Sequence, residues 1–65
     1  MKITLNGEAA EISGATLQAA LEEHGFGDAR VATSVNETFV AKGARAAHAL
    51  SEGDRVEVLA PMQGG

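Results

Sequence analysis

Few side chains in this sequence are spaced for chemistry. Its two histidines, His24 and His48, lie far apart, and neither has a second histidine or cysteine at metal-ligand spacing. We therefore predict structural or solvated histidines, with a metal or acid–base role as the alternative. Glu22 and Glu23 are a poor general acid–base pair, because adjacent helical residues do not face each other. Without a nucleophile-elbow serine or a phosphate-binding glycine loop, the sequence predicts no catalytic residue and no metal site.

Composition excludes further classes of function. The chain has 65 residues and no cysteine, which rules out disulfides, thiol catalysis and cysteine-ligated zinc. One small domain of this length has no room for a deep catalytic cleft. Nine acidic against five basic residues give a net charge of −4, so we expect a partner with a basic surface and no nucleic acid. No apolar run approaches the ~18 residues of a membrane span, and we expect a soluble, cytoplasmic protein.

The first half of the chain predicts a hairpin followed by a helix. Apolar and polar residues alternate over 1–5, Asn6-Gly7 suits a tight turn, and 8–12 reads as the returning strand. Thr16 is a good helix N-cap. Leu17 and Leu21 recur at helical spacing. The helix is about nine residues long and could not be stable alone. Gly25 suits a left-handed C-terminal cap followed by Phe26 in a Schellman motif.

The second half predicts three more strands. Strands at 31–35 and 38–41 flank a turn at Asn36-Glu37, and 42–50 is irregular with one helical turn near 46–50. A turn at 51–54 leads into the last strand, 55–60, which Pro61 ends because proline cannot donate to a sheet.

This element order predicts an α+β, ubiquitin-like β-grasp fold. We expect a mixed sheet of about five strands, with the first and last strands parallel at its centre and one helix packed across one face. The domain spans 1–60, and 61–65 forms a flexible C-terminal Gly-Gly tail. The predicted core comprises Ile3, Leu5, Ile12, Leu17, Leu21, Phe26, Val31, Val35, Leu50, Val56 and Val58.

Leu59 and the tail are the remaining candidates for function. Leu59 alternates with Val56 and Val58, so it should lie on the uncovered sheet face and form a docking surface with Met62 and Glu57. The alternative is that isolated exposed apolar residues have no role. The extended tail reaches roughly 20 Å, and Gly64 and Gly65 have no side chains to obstruct a narrow channel. Such a tail presents its terminal carboxylate to another protein's active site, unless it is simply a frayed end.

These features together resemble the ThiS family of sulfur carrier proteins of thiamine biosynthesis, over essentially the whole chain. The residues that carry the resemblance are LNGE at 5–8, VNE at 35–37, GDRVEV at 53–58 and APMQGG at 60–65. Two departures are visible. Asn36-Glu37 stands where the family often has Asn-Gly, which speaks against a type I′ turn. The loop around Ala46-Ala47 lacks the aromatic residue that many members carry there.

The resemblance implies a carrier that acts as a co-substrate and is not itself an enzyme. A ThiF-like enzyme uses MgATP to adenylate the carboxylate of Gly65, while Met62, Gln63 and Gly64 thread into its site. Sulfur from a cysteine desulfurase relay then displaces AMP to give a C-terminal thiocarboxylate, and a ThiG-like thiazole synthase accepts that sulfur. The carrier itself binds no cofactor and is a monomer when free.

Three alternatives remain open from the sequence. The carrier could serve molybdopterin or another sulfur-containing product, because the small subunit of molybdopterin synthase shares the β-grasp fold and the terminal Gly-Gly, although members of that group are usually longer than this chain. It could be a ubiquitin-like modifier joined through Gly65 to lysines of target proteins. It could also be a β-grasp interaction module whose terminal glycines are incidental.

Overall fold

The computed structural model describes residues 1–27 and 30–60, and this part of the chain forms one mixed sheet covered by a helix. The predicted tail, 61–65, lies outside the described residues. The elements in chain order are β1 (Lys2–Leu5), β2 (Glu8–Glu11), α1 (Leu17–Glu23), β3 (Ala32–Val35), β4 (Thr38–Val40), a 3₁₀ helix (Lys42–Ala47) and β5 (Arg55–Leu59).

The sheet has the strand order β2-β1-β5-β3-β4. At its centre β1 pairs in parallel with β5, with Thr4 beside Arg55 and Leu5 beside Val56. The outer pairs, β1 with β2 and β3 with β4, are antiparallel hairpins, and β3 runs antiparallel to β5. This confirms the predicted β-grasp fold and its parallel central pair.

Both predicted ends of helix α1 are confirmed. The Thr16 hydroxyl accepts a hydrogen bond from the Ala19 amide at 3.2 Å. At the other end Gly25 has a φ of +88°. The Gly25 amide donates to the Glu22 carbonyl at 3.3 Å and the Phe26 amide to the Leu21 carbonyl at 2.7 Å, the two bonds of a Schellman motif. The chain therefore turns sharply after one short helix and returns to the sheet.

The core lies between α1 and one face of the sheet. The buried apolar residues are Ile3, Ile12, Leu17, Ala20, Leu21, Val35, Val40, Leu50 and Val56. Leu5, Phe26 and Val58, which we predicted as core residues, are only partly buried and pack against this cluster. Val31 is half-buried and does not belong to the cluster, because it precedes the first residue pair of β3 with β5.

The turn between β3 and β4 differs from our expectation. Asn36 and Glu37 have φ values of +52° and +72°, as the central residues of a type I′ turn require, so the prediction against this turn is wrong. The side chain of Asn36 explains the difference. Its Oδ1 accepts from the Arg55 amide at 3.0 Å, and its Nδ2 donates to Asp54 at 3.0 Å. These bonds hold the turn without a glycine.

The connection between β4 and β5 also differs. The predicted helical turn near 46–50 is wrong, and a 3₁₀ helix occupies Lys42–Ala47 instead. Arg45, within that helix, is buried, and its Nη2 donates to the carbonyl of Val31. This hydrogen bond holds the 3₁₀ helix against the start of β3. The connection between β4 and β5 has no aromatic side chain that could pack there instead.

Candidate functional site

The face of the sheet opposite α1 exposes two large apolar side chains. Leu59 on β5 is 72% exposed and Phe39 on β4 is 69% exposed. Successive side chains of a strand point to opposite faces of the sheet. Val40 on β4 and Val56 on β5 point into the core, so Phe39 and Leu59 point to the opposite face. We call this surface the bare face; it consists of Ala32, Ser34, Phe39, Glu57 and Leu59.

The strand register brings these residues together. Ser34 lies between Phe39 on β4 and Glu57 on β5, and Ala32 lies beside Leu59. The small side chains of β3 leave a shallow depression of about 230 Å³, which Ala32, Thr33, Ser34, Phe39, Glu57 and Leu59 line. The bare face thus presents two apolar groups separated by a polar row.

Charge on the bare face is concentrated at Glu57. Its carboxylate accepts a hydrogen bond from the hydroxyl of Ser34 at 3.3 Å and stays exposed. The neighbouring cation on β5, Arg55, lies 3.7 Å from the carboxylate of Glu37. The bare face therefore suits a partner that carries an apolar surface and a basic group.

Of the predicted docking residues, Leu59 and Glu57 lie on the bare face as expected, and Met62 lies outside the described residues. Phe39 was missed by the sequence reasoning. The signal was present in the alternation of 38–41, because placing Val40 in the core requires Phe39 to face outward.

Hydrogen bonds hold β5 on both sides as far as Val58 and Leu59. The amide of Asn6 donates to the Val56 carbonyl at 2.9 Å, and the side-chain Oδ1 of Asn6 accepts from the Val58 amide at 2.8 Å. The other side of β5 pairs with β3 as far as Leu59. Any segment that follows Ala60 thus starts beside the bare face. The predicted tail residues Met62, Gln63, Gly64 and Gly65 lie outside the described residues.

His24 and Glu23 have structural contacts. The Nε2 of His24 lies 3.2 Å from the Glu11 carbonyl oxygen. The carboxylate of Glu23 accepts from the amides of Ser13 at 2.9 Å and Gly14 at 2.7 Å, and these bonds lower its pKa. Within 1–27 and 30–60 no three histidine or acidic side chains are grouped to hold a metal ion. No helix in the described ranges has the length and apolar character needed to cross a membrane.

Comparisons with known proteins agree on one family. The model of the ThiS family matches residues 3–65. The crystal structure of a thiamine biosynthesis protein (ThiS) from Geobacter metallireducens is 29% identical, with full coverage of both chains and a TM-score of 0.82. A solution structure of a thiamine biosynthesis protein from the same organism is 28% identical, covering all of this chain and 88% of that one, with a TM-score of 0.76. No curated protein sequence matches.

Proposed function

This chain belongs to the ThiS family, and from this membership we propose that it is a sulfur carrier protein for the thiazole moiety of thiamine. The observation that carries the proposal is the family match over residues 3–65, which includes the terminal Gly64 and Gly65. The likeness to thiamine biosynthesis proteins along the whole chain supports it. In this role the protein is a co-substrate of partner enzymes and not an enzyme itself.

The chemistry takes place at the carboxylate of Gly65. A free carboxylate is a poor electrophile, so a ThiF-like enzyme first directs its oxygen onto the α-phosphate of MgATP and releases pyrophosphate. AMP is then the leaving group of the acyl adenylate, and sulfur from a cysteine desulfurase relay displaces it. Where the sulfur arrives as a persulfide, a thiol reductant supplies two electrons to free the thiocarboxylate. A ThiG-like thiazole synthase then takes up the sulfur.

The body of the protein serves recognition in this scheme. Leu59 and Glu57 of the bare face, together with Met62, dock on the adenylating enzyme while Gln63 and Gly64 enter its channel. Phe39 adds a second apolar anchor, because it is as exposed as Leu59 and borders the same depression. Exposed apolar groups beside a reactive segment are typical of a protein-binding surface.

We further propose the conditions under which the carrier acts. The carrier acts in the cytoplasm as a monomer, it binds no cofactor, and only its partner uses MgATP. Neither nucleic acid nor a membrane takes part. The acidic surface of the chain, with a net charge of −4, favours partners with basic docking surfaces.

Intact-mass spectrometry tests the proposal. The chain is incubated with a ThiF-like enzyme, MgATP and a sulfur source, with a sample lacking ATP as the control. Once sulfur has displaced AMP from the activated carboxylate of Gly65, the exchange of one oxygen atom for the heavier sulfur atom should raise the mass by ~16 Da. An unchanged mass under conditions that activate a related carrier would contradict the proposal. Conjugates to other proteins would favour a modifier, and sulfur delivery to a molybdopterin precursor would favour the other carrier role.

A further inference from the structure

Strand β5 is central in the sheet, yet the pairing on one side stops before the strand does. On the β3 side its partners continue to Leu59, which lies beside Ala32. On the β1 side the paired residues end with Leu5 beside Val56, because the Asn6-Gly7 turn leads the chain away into β2. The last residues of β5 thus have an open edge on the side of β1.

The last hydrogen bond on the β1 side of β5 uses a side-chain atom of Asn6. Its amide still donates to Val56, but its φ of +52° turns its own carbonyl out of the strand. The side-chain Oδ1 takes the place of that carbonyl and accepts from Val58 at 2.8 Å. Pairing is therefore completed through the Val58 amide and goes no further.

Beyond this hydrogen bond, two main-chain groups of β5 and Ala60 have no hydrogen-bond partner among the described residues. Because a strand directs every second residue to the same side, the carbonyl of Val58 and the amide of Ala60 face the same way as the Val58 amide. Residues 1–27 and 30–60 provide no backbone hydrogen bond to either group beyond the paired strands. A carbonyl and an amide on either side of Leu59 are the two groups that a further parallel strand residue would bond.

The space beside this edge is open and chemically mixed. A depression of about 460 Å³ lies there, lined by Asn6, Gly7, Glu57, Val58 and Leu59. The depression is open on the side of Gly7. This residue carries no side chain, and a Cβ placed there would meet no atom within 4 Å. Leu59 provides an apolar contact and Glu57 a negative charge.

We propose that this edge, which we call the β5 edge, receives an extended segment of the enzyme that activates Gly65, by main-chain pairing to Val58 and Ala60. The segment carries an apolar side chain against Leu59 and a basic one against Glu57. Addition of a strand at an open edge is a common mode of peptide recognition. Here it fixes the last residue before Pro61 and so directs the segment that follows toward the partner. This inference rests on the proposed function.

Replacing one backbone N–H by an ester oxygen tests the pairing. Chemical synthesis of the 65-residue chain allows an ester at position 60, with L-lactate replacing Ala60, so that the N–H is lost and the methyl group is kept. The all-amide synthetic chain is the control, and Ala60→Pro against Ala60→Ser gives a recombinant pair with the same contrast. Affinity for the ThiF-like enzyme is measured by calorimetry without ATP, alongside the thermal midpoint of each chain.

The ester should weaken binding about 3- to 10-fold, the effect of one hydrogen bond. The thermal midpoint should fall only slightly, because the ester also makes the Leu59 carbonyl, which pairs with Ala32, a weaker acceptor. Equal affinities of ester and amide chains would overturn the pairing while leaving the proposed function standing. Loss of self-association in the ester chain, with enzyme affinity retained, would assign the β5 edge to a second copy and also overturn it. An all-amide chain that binds but gains no sulfur would count against the proposed function alone.

Discussion

Arg45 donates through its Nε to the hydroxyl of Thr33 at 3.0 Å, and both side chains are buried. Thr33 in turn donates to the carbonyl of Val40 at 2.9 Å. A second donor of the guanidinium reaches the carbonyl of Val31. One arginine thus joins the 3₁₀ helix to β3 and, through Thr33, to β4, beneath the strands that carry the bare face.

Replacing Arg45 should destabilise the fold. Arg45→Ala removes two hydrogen bonds from a charged donor and should lower the free energy of unfolding by about 2 kcal/mol. Arg45→Lys keeps the charge but lacks the planar fork, so it should recover only part of that loss. Urea denaturation measures both variants against Lys42→Ala, an exposed change in the same 3₁₀ helix. A midpoint for Arg45→Ala equal to that of Lys42→Ala would contradict this role.

The Asn6 side chain should contribute to stability through its bond to Val58. Asn6→Gly tolerates the positive φ and removes the side chain with its Oδ1 acceptor, so we expect a loss of about 1 kcal/mol. Asn6→Asp retains an oxygen in the same place and should lose less. Thermal and urea unfolding provide the measurement. If the glycine variant were as stable as the parent, the Oδ1 bond would have no net effect on folding.

The sequence predicted the parts of the fold that local patterns determine. The alternation of apolar and polar residues predicted β1 and β5 and the outward orientation of Leu59. Thr16 and Gly25 predicted the two ends of the helix. Long-range contacts decided the rest. The type I′ turn at Asn36-Glu37 depends on bonds to Asp54 and Arg55, far along the chain. The 3₁₀ helix is held to the sheet by the buried Arg45, and a charged side chain is rarely buried unless it is paired, so the sequence alone does not indicate this contact.

The candidate site divides in the same way. The exposure of Leu59 and Glu57 follows from the period of one strand, and Phe39 could have been found by the same rule. Their proximity could not, because it depends on the register that sets Ser34 between Phe39 and Glu57. The β5 edge also needed the structure, because only the geometry of the Asn6 turn shows where pairing on the β1 side stops.

The carboxylate of Glu23 should make stability depend on acid pH. The amide of Ser13, followed by that of Gly14, lowers the pKa of Glu23 below its ordinary value of 4.5. A pKa that is lower in the folded state means that the ionised carboxylate stabilises the fold above 4.5. That contribution is lost as the pH falls through the lowered pKa.

Glu23→Gln should therefore lower the urea midpoint at neutral pH and reduce its fall under acid conditions. The bonds of Asp54 to Ser51 and Asn36 lower the pKa of Asp54 in the same direction, so part of the acid dependence should remain. Glu22→Gln removes the same charge one residue earlier and provides the control. A parallel pH profile in the Glu23 and Glu22 variants would refute the assignment.

Leu59 should affect partner binding more than folding. Leu59→Glu places a charge at the centre of the proposed interface and should weaken binding to the ThiF-like enzyme about tenfold or more. Its effect on the free energy of unfolding should stay near 0.5 kcal/mol, because the residue is exposed. Ala9→Glu makes the same charge change on β2 and is the matched control. Equal affinities for the two variants would exclude Leu59 from the interface.

Activation should depend on the position of the terminal carboxylate. Changing the length of the chain at Gly65 should not affect the fold. Deleting Gly65, or adding one residue after it, shifts the carboxylate by one residue, about 3.5 Å of extended chain. Since an adenylating site needs its reacting atoms in near-contact geometry, both variants should lose thiocarboxylate formation by intact mass. Their thermal midpoints should match the parent, because the change lies outside β5, which ends at Leu59. Thiocarboxylate formation by the extended chain at the parent rate would show that the carboxylate is not delivered by a tail of fixed length.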